Sequence, residues 1–149
     1  MYHRILISTD GSDLGAKGVE HGLALASKLG LEVTLITVTE PFPVFSSGVG
    51  YDFSWSDTAM TEYAEGQKKA AEAILASAAL AAERHGVSAE RLHVPETPVA
   101  EAIIAAAQER KCDLIVMASH GRRGVGRLIL GSKTSEVLAN SDIPVLVVR

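Results

Sequence analysis

The residues best suited to chemistry in this chain lie between positions 114 and 134. An apolar strand, Leu114 to Ala118, runs into a loop with glycines at 121, 124, 126 and 131, and the loop ends at Ser132-Lys133-Thr134, a helix start. Glycines let backbone amides approach an anion closely, and a helix N-terminus adds unpaired donors and the positive end of a dipole. The stretch therefore reads as a phosphate cradle. Ser132 is its leading residue, expected to serve both as N-cap and as hydroxyl donor to phosphate, with Lys133 and Thr134 next. Arg122, Arg123, Arg127 and Lys133 concentrate positive charge in the same loop, where phosphate contact and plain solvation are equally open to the arginines.

Asp10, just past an N-terminal apolar run, is suited to ribose hydroxyls or a phosphate-bound metal ion. Its alternative role is an Asx turn or cap leading into Asp13. His120 invites a catalytic role, as histidines in general do, but no second histidine or carboxylate is spaced to make it a metal ligand, so it reads as a loop histidine beside the ligand. Three familiar motifs come close and fail. Gly126 to Thr134 resembles a P-loop, yet Ser132 separates the second glycine from the lysine. Gly121 to Gly126 has the wrong glycine order for a dinucleotide fingerprint. Met117-Ala-Ser119-His-Gly121 lacks the first glycine of a nucleophile elbow.

These residues must be positioned by alternating strands and helices. Ile5-Leu6-Ile7 reads as a buried strand, followed by helical spacing from Asp13 to Leu29 with Gly30 as its stop. Gly15, Gly18 and Gly22 weaken that helix intrinsically, which points to close packing on a sheet. Leu31 to Val38 is a second strand, and 40–57 is irregular. Thr58 to His85 is an Ala-rich helix ending at Gly86, and Val87 to Val94 a third strand. Thr97 before Pro98 predicts an N-cap with proline at N1, opening a helix to Arg110. Asp113 to Ala118, Ser132 to Asn140 and Val145 to Val148 complete the order as strand, helix and strand. Such alternation gives an open α/β fold, a five-stranded parallel sheet with helices on both faces. Ligands in these sheets bind beyond the carboxyl ends of the strands. That would bring Asp10, Val38 with Thr39, and Ser119-His120-Gly121 to one edge.

Length and composition fit this picture. The chain has 149 residues, 47% hydrophobic, with a formal net charge of −4; general nucleic-acid binding by charge is not expected. One cysteine, Cys112, excludes an intramolecular disulfide and a Cys-rich metal site. No 18-residue apolar run is present, and strand-like sequence begins within three residues of Met1. Neither a membrane span nor a signal peptide is expected, so a cytoplasmic protein is the default.

With those residues in place, the chain resembles the universal stress protein family over essentially all of 1–149, as a single domain. The resemblance is carried by Arg4-Ile-Leu-Ile-Ser-Thr-Asp10-Gly-Ser, by Asp113-Leu-Ile-Val-Met-Ala-Ser-His-Gly-Arg, and by Ile143-Pro-Val-Leu-Val-Val-Arg149. The ATP-binding branch carries G-x-x-G, nine residues, then G-[S/T]. Ala118-Ser-His-Gly121, nine residues, then Gly131-Ser132 matches this with Ala118 in place of the first glycine. The resemblance implies a Rossmann-like, adenine-nucleotide-binding fold with strand order 3-2-1-4-5. It implies ATP as ligand, with Mg or Mn, in a regulatory protein of the stress response. The implied cofactor-binding set is Asp10, Val38, Met117, Ala118, Ser119, His120, Gly121, Gly131, Ser132, Lys133 and Thr134. Within it, Asp10 takes the ribose or metal side, Val38 offers backbone groups to adenine, and Gly121, Gly131, Ser132 and Thr134 bind phosphates. A homodimer joined through Val145, Leu146, Val147 and Val148 is also implied. Two other functions stay open: a slow ATPase or a hydrolase using Ser119 and His120, and a nucleotide-independent dimeric scaffold.

Overall fold

A computed structural model describes residues 1–42, 56–121 and 129–149. The arginines at 122, 123 and 127, the glycines at 124 and 126, and most of the irregular 40–57 stretch lie outside the described residues. Among the described residues the elements follow one another as β1 (Arg4–Ser8), α1 (Asp13–Leu29), β2 (Glu32–Val38), α2 (Asp57–Arg84), β3 (Ala89–Val94), α3 (Val99–Glu109), β4 (Leu114–Ala118), α4 (Ser132–Asn140) and β5 (Val145–Val148). All pair in parallel, in the order β3-β2-β1-β4-β5.

The apolar composition of β1 follows from its central place. Ile5 and Ile7 enter a core with Val19 and Leu23 of α1, Leu75 and Ala79 of α2, and Leu114 and Val116 of β4. Leu6 faces the other way, into a core with Ile36, Ile103 of α3, Ile115 and Val137 of α4. A strand buried on both sides has no solvent face and so loses the polar alternation of a surface strand. Each such side chain contributes roughly 1.5–3 kcal/mol by leaving water.

Helix α1 explains its own glycines. A Cβ at Gly22 would sit 2.6 Å from Ile7 Cδ1, and one at Gly18 would touch the Ala118 backbone at 3.5 Å. Ser12 caps the helix by accepting from Gly15 N at 3.0 Å, Asp13 lies at the positive end of the dipole, and Gly30 closes it at φ 67°.

Two expected caps are corrected. Thr97 does not cap α3: its hydroxyl donates backward to the Pro95 carbonyl at 2.9 Å, and Pro98 is the N-cap residue, without a side-chain cap bond. Ser132 is likewise not an N-cap. Gly131 holds that position in extended backbone, φ −59° and ψ 151°, and Ser132 is the first helical residue.

Candidate functional site

In this strand order the direction in which successive strands are added reverses between β1 and β4. Beyond their carboxyl ends opens a cleft of about 580 Å³, within the range of small-molecule sites. Asp10 stands on its β1 side. Its Oδ1 accepts from Ser12 N at 3.0 Å and from Ser12 Oγ at 2.6 Å, which is the Asx turn offered as its alternative role. The two roles are compatible. A Cβ at Gly121 would lie 2.7 Å from the other oxygen, Oδ2, and one at Gly15 would lie 2.7 Å from Oδ1. Both glycines are therefore close-approach positions around one carboxylate.

Across the cleft, Gly131 N donates to the Ser119 carbonyl at 2.8 Å, holding the start of α4 against the residue that follows β4. A Cβ at Gly131 would stand 3.0 Å from that carbonyl and 3.1 Å from His120 Cα. The pinning aims the first turn of α4 at the cleft. Within the helix, Ser135 N is already bonded to the Gly131 carbonyl, whereas the amides of Ser132, Lys133 and Thr134 precede the first helical acceptor. Three adjacent donors at a helix N-terminus suit an anion.

Of the expected site residues, Asp10, Val38, Met117, Ala118, His120, Gly121, Gly131, Ser132, Lys133 and Thr134 line this cleft together. Ser119 does not. It is 2% exposed, with its amide bonded to the Val148 carbonyl at 2.8 Å. A nucleophilic role for Ser119 finds no support in that placement. Thr134 is also 2% exposed, and its hydroxyl donates to the Ala118 carbonyl at 2.9 Å, so its hydrogen is committed to the end of β4 rather than to a ligand. Ala118 is the last residue of β4 and strand-like, a backbone that accepts a Cβ where the motif has glycine.

Several wall residues escaped the sequence reading. Thr9 and Thr37 line the cleft beside the expected Thr39, as do Glu40 and, from α2, Tyr63, Gln67, Ala70, Ala71 and Ile74. The α2 residues follow helical spacing, with Gln67 Nε2 donating to Tyr63 Oη at 2.7 Å and Phe42 edge-on to Tyr63 at 4.9 Å. The polar pair Tyr63 and Gln67 in an otherwise Ala-rich face was the available signal. Thr37 Oγ1 donates to the Thr9 carbonyl at 2.8 Å, tying the ends of β1 and β2 together. Lys133 is ion-paired with Glu40 across the mouth of the cleft.

Burial pushes the Cys112 thiol up to about 11, so it is inert as a nucleophile. Burial lowers His93, whose Nε2 lies 2.9 Å from Thr39 Oγ1. Among the described residues no group of three or more His, Cys, Asp or Glu side chains could hold a metal ion. A hard divalent cation at Asp10 would take its other ligands from phosphates and water, as Mg²⁺ commonly does. No described helix is long and apolar enough to cross a membrane.

Comparison with known proteins agrees with this geometry. The model of the universal stress protein family matches residues 1–149. Universal stress protein MJ0531 of Methanocaldococcus jannaschii is 33% identical over 149 residues, covering 100% of this chain and 83% of that protein. Among solved structures, hypothetical protein MJ0577 of the same organism superposes with a TM-score of 0.81 at 26% identity, covering 99% of this chain and 96% of that one. A universal stress protein in complex with cAMP superposes with a TM-score of 0.71 at 24% identity, covering 99% and 97%, a likeness of fold.

Proposed function

The chain belongs to the universal stress protein family, and we propose that it is an ATP-binding regulatory member, holding the nucleotide in the β1–β4 cleft and acting in the stress response through nucleotide-dependent conformation or partner choice. The observation that carries this reading is the convergence of the Asp10 carboxylate and the first turn of α4 on one cleft of about 580 Å³. In the proposed complex the amides of Ser132, Lys133 and Thr134 meet the phosphates, Val38 offers backbone groups to adenine, and Asp10 takes the ribose or a bridging Mg²⁺ or Mn²⁺. The cation, when bound, would neutralise phosphate charge. Met117, Ala118, His120, Gly121 and Gly131 complete the wall. That a family structure is in complex with cAMP supports an adenine nucleotide as the ligand class.

Binding is favoured over catalysis because phosphoryl transfer to water needs an oriented nucleophile, and of the two carboxylates among the described cleft residues Asp10 is held by Ser12 and Glu40 is paired with Lys133. A cytoplasmic location and a homodimer through Val145, Leu146, Val147 and Val148 belong to the same reading. The dimer is supported by β5 lying at an edge of the sheet with Leu146 38% exposed.

The deciding experiment is mass spectrometry of small molecules released on denaturing the freshly purified protein, with equilibrium ATP titration in the presence of Mg²⁺. Co-purified adenine nucleotide, or saturable ATP binding at micromolar to millimolar concentration, is the expected result. The absence of both co-purified nucleotide and binding at millimolar ATP would falsify the reading.

A further inference from the structure

Glu40 is an unexpected residue on the wall of an anion site. It follows the end of β2 by two positions, and Lys133 lies in the first turn of α4, 93 residues away, yet the two side chains form an ion pair. Both line the cleft, on opposite sides of the reversal point. Each is about half exposed, 49% for Glu40 and 46% for Lys133, so the pair is hydrated and weak enough to exchange. Lys133 is also the cation nearest in sequence to the proposed phosphate donors. A phosphate settling on the α4 amides therefore competes with Glu40 for one ammonium, and Glu40 is left as a bare carboxylate beside the incoming anion.

The geometry points to Glu40 as the residue that sets the charge selectivity of the cleft, a latch on Lys133 that a ligand must displace in proportion to its own negative charge. The inference rests on the adenine-nucleotide reading and deepens it. An uncharged nucleoside leaves the pair closed. A monophosphate opens it with little to spare, and a triphosphate carries enough charge to take Lys133 fully. Glu40 thus weakens every phosphorylated ligand, and its removal benefits the most charged one most.

The test compares adenosine, AMP and ATP in EDTA, where their negative charges stay graded, and again with Mg²⁺ for binding itself, by calorimetric titration of wild type, Glu40→Gln, Lys133→Gln and the double variant. Glu40→Gln is expected to tighten ATP by about two- to fivefold, AMP by less, and adenosine not at all, with the gain shrinking as salt rises. In the Lys133→Gln background the same change should yield a smaller gain, because no pair remains to break. Equal gains in both backgrounds would make Glu40 a simple surface charge and overturn the latch. Equal effects on adenosine and ATP would overturn it too. Should ATP and AMP fail to bind any of the four proteins, the nucleotide reading itself fails and the latch with it; ATP binding that is indifferent to Glu40 overturns the latch alone.

Discussion

Gly121 is built against the carboxylate of Asp10: a Cβ at 121 would stand 2.7 Å from Asp10 Oδ2. Residues 111 positions apart thus share one van der Waals boundary at the reversal point of the sheet. The carboxylate cannot simply slide away, because its Oδ1 is held by Ser12 N and Oγ. Gly121→Ala should therefore twist the Asp10 side chain. A turn of about 30° off its rotamer costs roughly 0.5–1.5 kcal/mol, an affinity loss of about two- to tenfold for ATP. Calorimetric titration of the variant, with circular dichroism as a check on folding, reads this directly. Unchanged ATP affinity would mean that Asp10 takes no part in binding.

Asp10→Asn separates the carboxylate's two roles. Asparagine keeps an oxygen that accepts from Ser12 N, so the turn survives with a neutral acceptor, a stability loss of about 1 kcal/mol. The negative charge is lost entirely. Titrating ATP with and without Mg²⁺ should show a clear metal dependence in wild type and little in the variant. The same metal dependence in both would remove Asp10 from the cation side.

Packing of α1 on β1 gives a third expectation. Gly22→Ala gains about 1 kcal/mol of helix propensity, yet its Cβ would meet Ile7 Cδ1 at 2.6 Å and Cγ1 at 2.9 Å in the fully buried core. Overpacking of this kind costs roughly 1–3 kcal/mol, so the variant should be net destabilised in urea unfolding. Ile7→Val removes the Cδ1 atom. Its usual cost of about 0.5–1.5 kcal/mol should shrink in the Gly22→Ala background. Additive losses would show that the helix shifts instead of the isoleucine yielding.

The strands and the position of the cleft were legible because buried strands and their turn residues are local signals. Ile5-Leu6-Ile7 and Leu114 to Ala118 announce themselves as apolar runs, and Asp10 and Gly121 follow their ends. Strand order 3-2-1-4-5 came from family resemblance, since nothing local to β1 says which neighbours it takes. Caps were misread where tertiary bonds claimed the capping group. Gly131 N is drawn to the Ser119 carbonyl, which starts α4 one residue earlier in the chain than a serine cap would, and the Thr97 hydroxyl turns back to Pro95. Ser119 looked like a site residue from its place in the motif, but pairing with Val148 turns it inward. Tyr63 and Gln67 offered only the faint signal of a polar pair on an Ala-rich helix, and Glu40 none, because only the folded sheet brings β2 and α2 to the edge shared with α4.

His93 gives the fold a pH dependence of definite sign. It lies on β3 with Thr39 at its Nε2, and burial lowers its pKa, outweighing the nearby Glu72 carboxylate, which raises it; Lys68 adds a further lowering. The imidazolium is thus less welcome in the folded chain than in the unfolded one, where the ordinary value is about 6.5. Between that value and the lower folded one the unfolded state binds more protons, so stability falls as pH falls, and it is fully present above about 6.5. Glu20, held low chiefly by its hydrogen bond to His85, acts in the same direction, but only in the more acidic range of carboxylates. Urea midpoints should therefore decrease from pH 7.5 to pH 5.5. His93→Gln, which keeps an amide able to bond Thr39, should flatten that decrease while leaving the acid limb below pH 4.5 in place. Parallel curves for the two proteins would show that Thr39 accommodates the imidazolium and that the neutral-range titration lies elsewhere.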